Sequence, residues 1–300
     1  MTVAIQNFGQ EIRLHEASSE RIPSLIGEPG TIDAMRHERM FGAVQPLLGM
    51  FAKDAWLTIG DGGADAWMLR QLGAMRVTAS SISDARLRQL QLSGHLTGIE
   101  LRSLNAEAID LPDGSVDFIF CKEAFHHFPH APLAFYEFLR VARRGFLLIE
   151  PSELCQRRLL DVARTFAKLV LRRRSPIYEL FEPVGNFIYR VSQREVERML
   201  TAIQLPWFAI RNFNNFGTGW LARQPRDRRV AHAMFKLGIH IQDALAGCRL
   251  MSPGLCALFV PVAPAPAGLQ DTLRASGFRI VHLPRNPYRT EDYRKSFLPR

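Results

Sequence analysis

Trp56-Leu57-Thr58-Ile59-Gly60-Asp61-Gly62-Gly63-Ala64-Asp65 is the stretch on which the fold turns. Its first four residues predict a short buried strand that stops at glycine. The glycines that follow let a backbone approach a ligand closely. Asp65 to Leu72 then reads as a helix closed by Gly73. A strand that turns through glycines into a helix is the opening unit of an α/β sheet, and the start of that helix is expected to offer unpaired N–H groups.

The same alternation continues outward. Arg76 to Ala79 reads as a second strand, and Asp84 to Leu92 as a helix ended by Ser93-Gly94. Ile99 to Leu104 is a third strand. The Asp113-Gly114 turn leads into a fourth, Val116 to Cys121, and Pro132 to Ala142 is a helix before a fifth strand at Phe146 to Ile149. This order predicts an α/β fold with a doubly wound, mostly parallel Rossmann-like sheet. Ligands on such sheets lie over the carboxyl ends of the strands, here near Gly60, Ser81, Asn105 and Cys121.

On the N-terminal side, Thr31 to Phe51 reads as a helix that Pro46 kinks or splits. After Pro151 the alternation lapses. Leu154 to Leu171 is amphipathic, with Leu159, Ala163, Phe166 and Val170 on one face and Arg157, Arg164 and Lys168 largely on the other. Ser192-Gln193-Arg194-Glu195 has the form of a capping box. Phe208 to Asn212, Cys256 to Val262 and Phe278 to His282 read as later strands, with a helix from Leu269. Three regions are expected: an N-terminal helical or lid segment (1–54), a ligand-binding core (55–151), and a helical insertion with the completing strands (152–300).

Apolar residues make up 47% and charged residues 22% of the 300 residues, which predicts a chain able to bury a real core. The net charge of +9 is partly local, in Arg172-Arg173-Arg174 and between Arg223 and Arg229. No aromatic residues alternate with either run, which disfavours nucleic acid as a partner. The basic amphipathic stretch leaves peripheral membrane contact as a minor expectation. The four cysteines form no CxxC pair or metal cluster, so no metal is expected. Met1 to Glu16 lacks the pattern of a signal peptide, and the expected location is cytoplasmic.

With these motifs in order, the chain resembles the class I S-adenosylmethionine-dependent methyltransferases. Leu57-Thr58-Ile59-Gly60-Asp61-Gly62-Gly63-Ala64 is similar to their first motif and Val77-Thr78-Ala79-Ser80-Ser81-Ile82-Ser83 to their second. Asn105-Ala106-Glu107 with Leu111-Pro112-Asp113-Gly114-Ser115-Val116-Asp117, then Phe125-His126-His127-Phe128, and Arg140 to Phe146 continue the pattern. The resemblance covers roughly residues 55 to 151. It implies S-adenosyl-L-methionine as cofactor, with Gly60, Asp61 and Gly62 bordering its methionine part. It places Ser81 at the ribose, Ile82 on the adenine, Asn105 and Ala106 beside the adenine amino group, and Cys121 and Lys122 under the sulfonium.

Three positions depart from the family. Thr58 stands where an acid is common, Ala64 where glycine often occurs, and Ser81 where Asp or Glu nearly always grips the ribose. Near the expected methyl group, His126 and His127 are candidate general bases, since neutral imidazole suits proton abstraction near pH 7. The plainer reading is that one packs or caps a helix and the other is solvated. Tyr178, Glu182, Asn186 and Tyr189 lie in a Gly- and Pro-containing stretch suited to an acceptor loop. The expected function is methyl transfer to a small-molecule or saccharide-like acceptor, foremost at oxygen. The alternatives are a catalytically inactive methyltransferase-like binding protein and an NAD(P)-dependent reductase. Asp65 speaks against the reductase, because the last glycine of G-x-G-x-x-G would fall there.

Overall fold

In the computed structural model, which describes residues 22–152, 160, 162, 163, 181 and 187–287, the strand that carries Trp56 is β1, Ala55–Ile59. It is followed by β2 (Arg76–Ser81), β3 (Glu100–Ser103), β4 (Val116–Lys122), β5 (Ala142–Pro151), β6 (Trp207–Phe213), β7 (Leu255–Pro261) and β8 (Arg279–His282). All join one eight-stranded sheet in the order β3-β2-β1-β4-β5-β7-β6-β8. β1 to β5 pair parallel with one another, while β7 runs antiparallel to both β5 and β6, and β8 antiparallel to β6. The expected α/β class and mostly parallel sheet are therefore present, including the later strands. The winding reverses between β1 and β4, and that switch point is where such a sheet opens a crevice.

The sheet is buried on both faces, and successive residues of a strand alternate between them. On β4, Phe118 and Phe120 enter one core cluster with Trp56, Leu147 and Phe259. Ile119 and Cys121 enter the other, with Leu57, Phe135, Phe138 and Phe208. β5 runs ten residues, well beyond the apolar Phe146 to Ile149, because β7 pairs with it from Gly145 to Pro151.

Nine helices are described around the sheet: α1 (Ser24–Gly27), α2 (Ile32–Phe41), α3 (Gln45–Phe51), α4 (Ala64–Gln71), α5 (Ala85–Leu92), α6 (Ala131–Val141), α7 (Gln193–Ala202), α8 (Arg229–Gly247) and α9 (Leu269–Ala275). The Thr31 to Phe51 helix is split. Thr31 caps α2 by accepting the Ala34 N–H at 3.3 Å, and Pro46 sits in the first turn of α3, where no donor is needed. The capping box is a correction. Ser192 is the N-cap of α7, but its side chain makes no capping bond, and the Tyr189 hydroxyl donates to the Glu195 carboxylate instead. The amphipathic reading of Leu154 to Leu171 falls almost wholly outside the described residues. Among the described residues no helix is long and apolar enough to cross a membrane.

Candidate functional site

The loop after β1 is organised around Asp61, which is 1% exposed. Its Oδ1 accepts the N–H groups of Gly63 (2.6 Å) and Asp65 (3.0 Å). Its Oδ2 accepts the Ala66 N–H (2.8 Å) and the Thr58 hydroxyl (2.8 Å). The expectation of unpaired N–H groups at this helix start is thus corrected. The carboxylate two residues before Gly63 already takes them, and its charge already answers the helix dipole. Thr58 lacks the family acid but holds the acid of Asp61, so a carboxylate is still present beneath the loop. Gly60 has φ 68°, and a Cβ there would stand 2.5 Å from the Ala124 Cβ, so both conformation and packing require glycine.

A crevice of about 390 Å³ opens between the start of α4, α5 and the end of β4 on one side and α1 and α2 on the other. Ala64, Arg86 and Lys122 line it from the sheet side, while residues 22–25 with Asp33 and His37 of α2 line the opposite wall. The Arg86 guanidinium lies over Gly62, 3.3 Å from where a Cβ would be. Lys122 is 7% exposed, and its Nζ lies 3.3 Å from Asp65 Oδ1 and 3.4 Å from both Glu123 Oε2 and His37 Nδ1. Arg36 adds contacts to Asp33 (3.0 Å) and Glu123 (3.5 Å).

These charges set each other's protonation. Burial works against the Lys122 ammonium, but Asp65 and Glu123 outweigh it and raise its pKa. Burial, with repulsion from Asp61, pushes Asp65 up to about 7 despite Lys122. His37 is brought down to about 4 by burial and the Lys122 charge, so it is neutral near pH 7. Its Nε2 lies 2.9 Å from the Arg36 guanidinium, and its Nδ1 lies 3.4 Å from both the Lys122 ammonium and Glu123 Oε2. Burial tends to raise Glu123, yet Lys122, His37 and Arg36 hold it below the ordinary carboxylate range.

On the other face of β4 is a second constellation. Glu150, at the end of β5, is fully buried. Its Oε1 accepts the Ala124 and Phe125 N–H groups, both at 2.9 Å, and its Oε2 lies 2.6 Å from His126 Nδ1. A carboxylate already accepting two amides is an acceptor toward the imidazole as well, so Nδ1 carries the proton. The His127 ring packs on that of His126 at 4.0 Å between centroids. Cys121 points to this side, its Sγ 3.9 Å from Glu150, and burial with the Glu150 and Asp65 charges raises its thiol pKa.

The expected cofactor residues are thus divided. Lys122 lines the crevice, Gly60, Asp61, Gly62, Ser81, Ile82, Asn105 and Ala106 are not among its lining residues, and Cys121, one residue from Lys122 on a pleated strand, is turned from it. Ser81 is 5% exposed at the end of β2, with its carbonyl accepting the Leu104 N–H at 3.0 Å, and Ile82 follows it half-buried. Asn105 Oδ1 accepts the Glu107 N–H at 3.0 Å, closing a tight turn, and Ala106 is buried beside it. Tyr189 rests edge-on to Phe125 at 6.1 Å. Tyr178, Glu182 and Asn186 lie outside the described residues. Asp33, Arg36, His37, Arg86 and Glu150 were not singled out from the sequence. Only the Asp33-Arg36-His37 spacing on one helical face offered a signal.

Residues 57–149 match a family model described as a methyltransferase domain. A curated protein of Mycobacterium ulcerans, "Probable phthiotriol/phenolphthiotriol dimycocerosates methyltransferase 2", is 32% identical over 89 residues, which are 30% of this chain and 34% of that protein. The chain thus spans about a third of the length of the curated relative it matches. Among solved structures, the YcgJ protein of Bacillus subtilis aligns at 19% identity and TM-score 0.48, over 74% of this chain and 97% of that one. Magnesium protoporphyrin IX methyltransferase of Synechocystis, solved with S-adenosylhomocysteine, aligns at 16% identity and TM-score 0.45, over 67% and 87%.

Proposed function

We propose that this chain, whose residues 57–149 form a methyltransferase domain of the class I S-adenosylmethionine-dependent family, transfers a methyl group to an oxygen of a small-molecule acceptor. The observation that carries the reading is the chemistry of the crevice. Dinucleotides need helix N–H groups for their pyrophosphate, and here Asp61 has taken those of Gly63, Asp65 and Ala66. S-adenosyl-L-methionine has no phosphate, and its zwitterionic end and sulfonium suit a wall of mixed sign. Asp33, Arg86 and Lys122 provide that wall, with Glu123 paired to Lys122 and Arg36 paired to Asp33 and Glu123. The residues present therefore fit this cofactor better than NAD(P).

In this reading the Gly60 to Gly62 backbone and Lys122 border the methionine part. The Ser81 hydroxyl meets the ribose, and Ile82, Asn105 and Ala106 border the adenine. The bound cofactor supplies an electrophilic methyl group on a sulfonium. In this reading His126, whose Nδ1 proton Glu150 holds, is the base for the acceptor's hydroxyl, which makes the acceptor approach from the face of β4 opposite Lys122. The curated relative's name denotes triol substrates, which supports oxygen as the methylated atom.

Calorimetric titration with S-adenosylhomocysteine and, separately, NADPH tests the reading. Saturable heat with S-adenosylhomocysteine and none with NADPH is expected. Absence of binding at millimolar S-adenosylhomocysteine, or tighter binding of NADPH, would overturn it. Ser81 at the ribose position favours a second reading, a binding protein without turnover. That reading predicts the same titration but no release of S-adenosylhomocysteine with any hydroxylated acceptor.

A further inference from the structure

The charges around the crevice do not balance. Among the described residues, four carboxyl groups (Asp33, Asp61, Asp65 and Glu123) stand there against three cations (Arg36, Arg86 and Lys122). His37 is neutral near pH 7, and burial with the Glu150 and Asp65 charges keeps the Cys121 thiol neutral as well. Asp33 and Glu123 each meet the Arg36 guanidinium, and Asp61 accepts four donors. The side chain of Asp65 has the Lys122 ammonium at 3.3 Å, and it shares that cation with Glu123. It is the acid left short, in a site where it is 5% exposed. Burial and the Asp61 charge push its carboxyl up to about 7 against the pull of Lys122, so near neutral pH it exists in both forms. A buried carboxyl in that state answers a new positive charge beside it by releasing its proton.

S-adenosyl-L-methionine carries one more positive charge than S-adenosylhomocysteine, on the sulfonium. Apart from the methyl group, the two ligands are otherwise the same. We propose that Asp65 supplies the counter-charge of the sulfonium, so that the crevice selects the charged methyl donor over its neutral product. The inference rests on the cofactor reading above, which sets Lys122, and with it Asp65, beneath the sulfonium. Lys122 by itself repels that charge, but it is already matched by its two acids, and the excess carboxyl decides the sign. When the methyl group departs and leaves its bonding pair on sulfur, Asp65 faces a neutral thioether and takes a proton back from solvent. The product thereby loses the attraction that held the donor.

Calorimetric titration of the full chain with each ligand, in PIPES and in Tris near neutral pH, tests this. S-adenosyl-L-methionine is expected to bind about tenfold tighter than S-adenosylhomocysteine. Its heat differs between the buffers, because the proton that Asp65 releases is taken up by the buffer, whereas the heat of S-adenosylhomocysteine is the same in both. Affinity for the charged donor rises from about pH 6 to about 7.5 as the empty site's carboxyl ionises, and affinity for the product stays level. Asp65→Asn has the shape of the neutral carboxyl and keeps the backbone N–H bond to Asp61. It is expected to weaken the donor about tenfold, leave the product unchanged and remove the buffer dependence. Equal wild-type affinities, a donor heat that is independent of buffer, or a preference that survives Asp65→Asn overturns the proposal and leaves the cofactor reading standing. Binding of neither ligand overturns both.

Discussion

Asp61 shows how one side chain decides what a loop can bind. It answers three N–H groups and the Thr58 hydroxyl from a fully buried position. Asp61→Ala leaves those donors without an acceptor, and the expected loss is about 3 kcal/mol of unfolding free energy, measured by urea denaturation. Ser81 concerns affinity rather than stability. A carboxylate bonds a ribose diol more strongly than a hydroxyl does, and placing one here also carries a desolvation cost. Ser81→Asp is expected to tighten S-adenosylhomocysteine binding by about 1 kcal/mol, read by titration calorimetry. A phosphorylated nucleotide ligand would instead be weakened by the same change, so the sign of the shift tests the assignment of Ser81 to the ribose.

At the scale of elements, α2 forms a wall of the crevice whose charge state depends on burial. The unfolded chain binds a proton at His37 below about 6.5, and the folded chain does so only near 4. Between these values the unfolded state holds more protons, so His37 makes stability fall as pH drops from 6.5 to 4. Asp65 acts oppositely, because its folded pKa of about 7 exceeds the ordinary 3.8 and the folded state holds the proton between them. His37→Gln removes the first effect alone. Its stability relative to wild type should rise steadily as pH is lowered from 6.5 to 4, in denaturation curves taken across that range. The β5–β7 pair presents a purely steric case. A Cβ on Gly145 would lie 2.6 Å from the Val260 carbonyl oxygen, a backbone atom that cannot yield without parting the strands. Gly145→Ala is expected to cost about 3 kcal/mol or more by thermal or urea unfolding.

For the whole molecule, the late strands are part of the same core as the early ones. Trp207, Phe259 and Leu273 share one cluster with Trp56 and Phe118, and Leu200, Phe208 and Leu258 share the other with Leu57 and Phe138. A chain ending at residue 205 exposes β5 along its edge and opens both clusters. It is expected to show no cooperative melting transition in circular dichroism, whereas the full chain shows one. Cooperative unfolding of the short form would mean that residues 55–151 fold independently of the later strands.

The alternation of strands and helices, and the glycine turn after Ile59, are legible from sequence because they rest on local periods. Period two and period 3.6 leave their marks within ten residues. The parallel core and even the later strands at Trp207, Leu255 and Arg279 are visible in this way. The chemistry of the crevice is not, since its partners come from distant segments: His37 and Lys122 stand 85 residues apart, and His126 and Glu150 stand 24 apart. Pleating separates Cys121 from Lys122, and the fold alone decides which of the two faces the crevice. Glu195 likewise fits a capping box by spacing, yet Tyr189 holds it once α7 docks. Sequence by itself determined which elements form, because hydrophobic period is a property of neighbours along the chain. Tertiary structure decided which charges meet, because burial and Coulomb attraction act through space regardless of order in the chain.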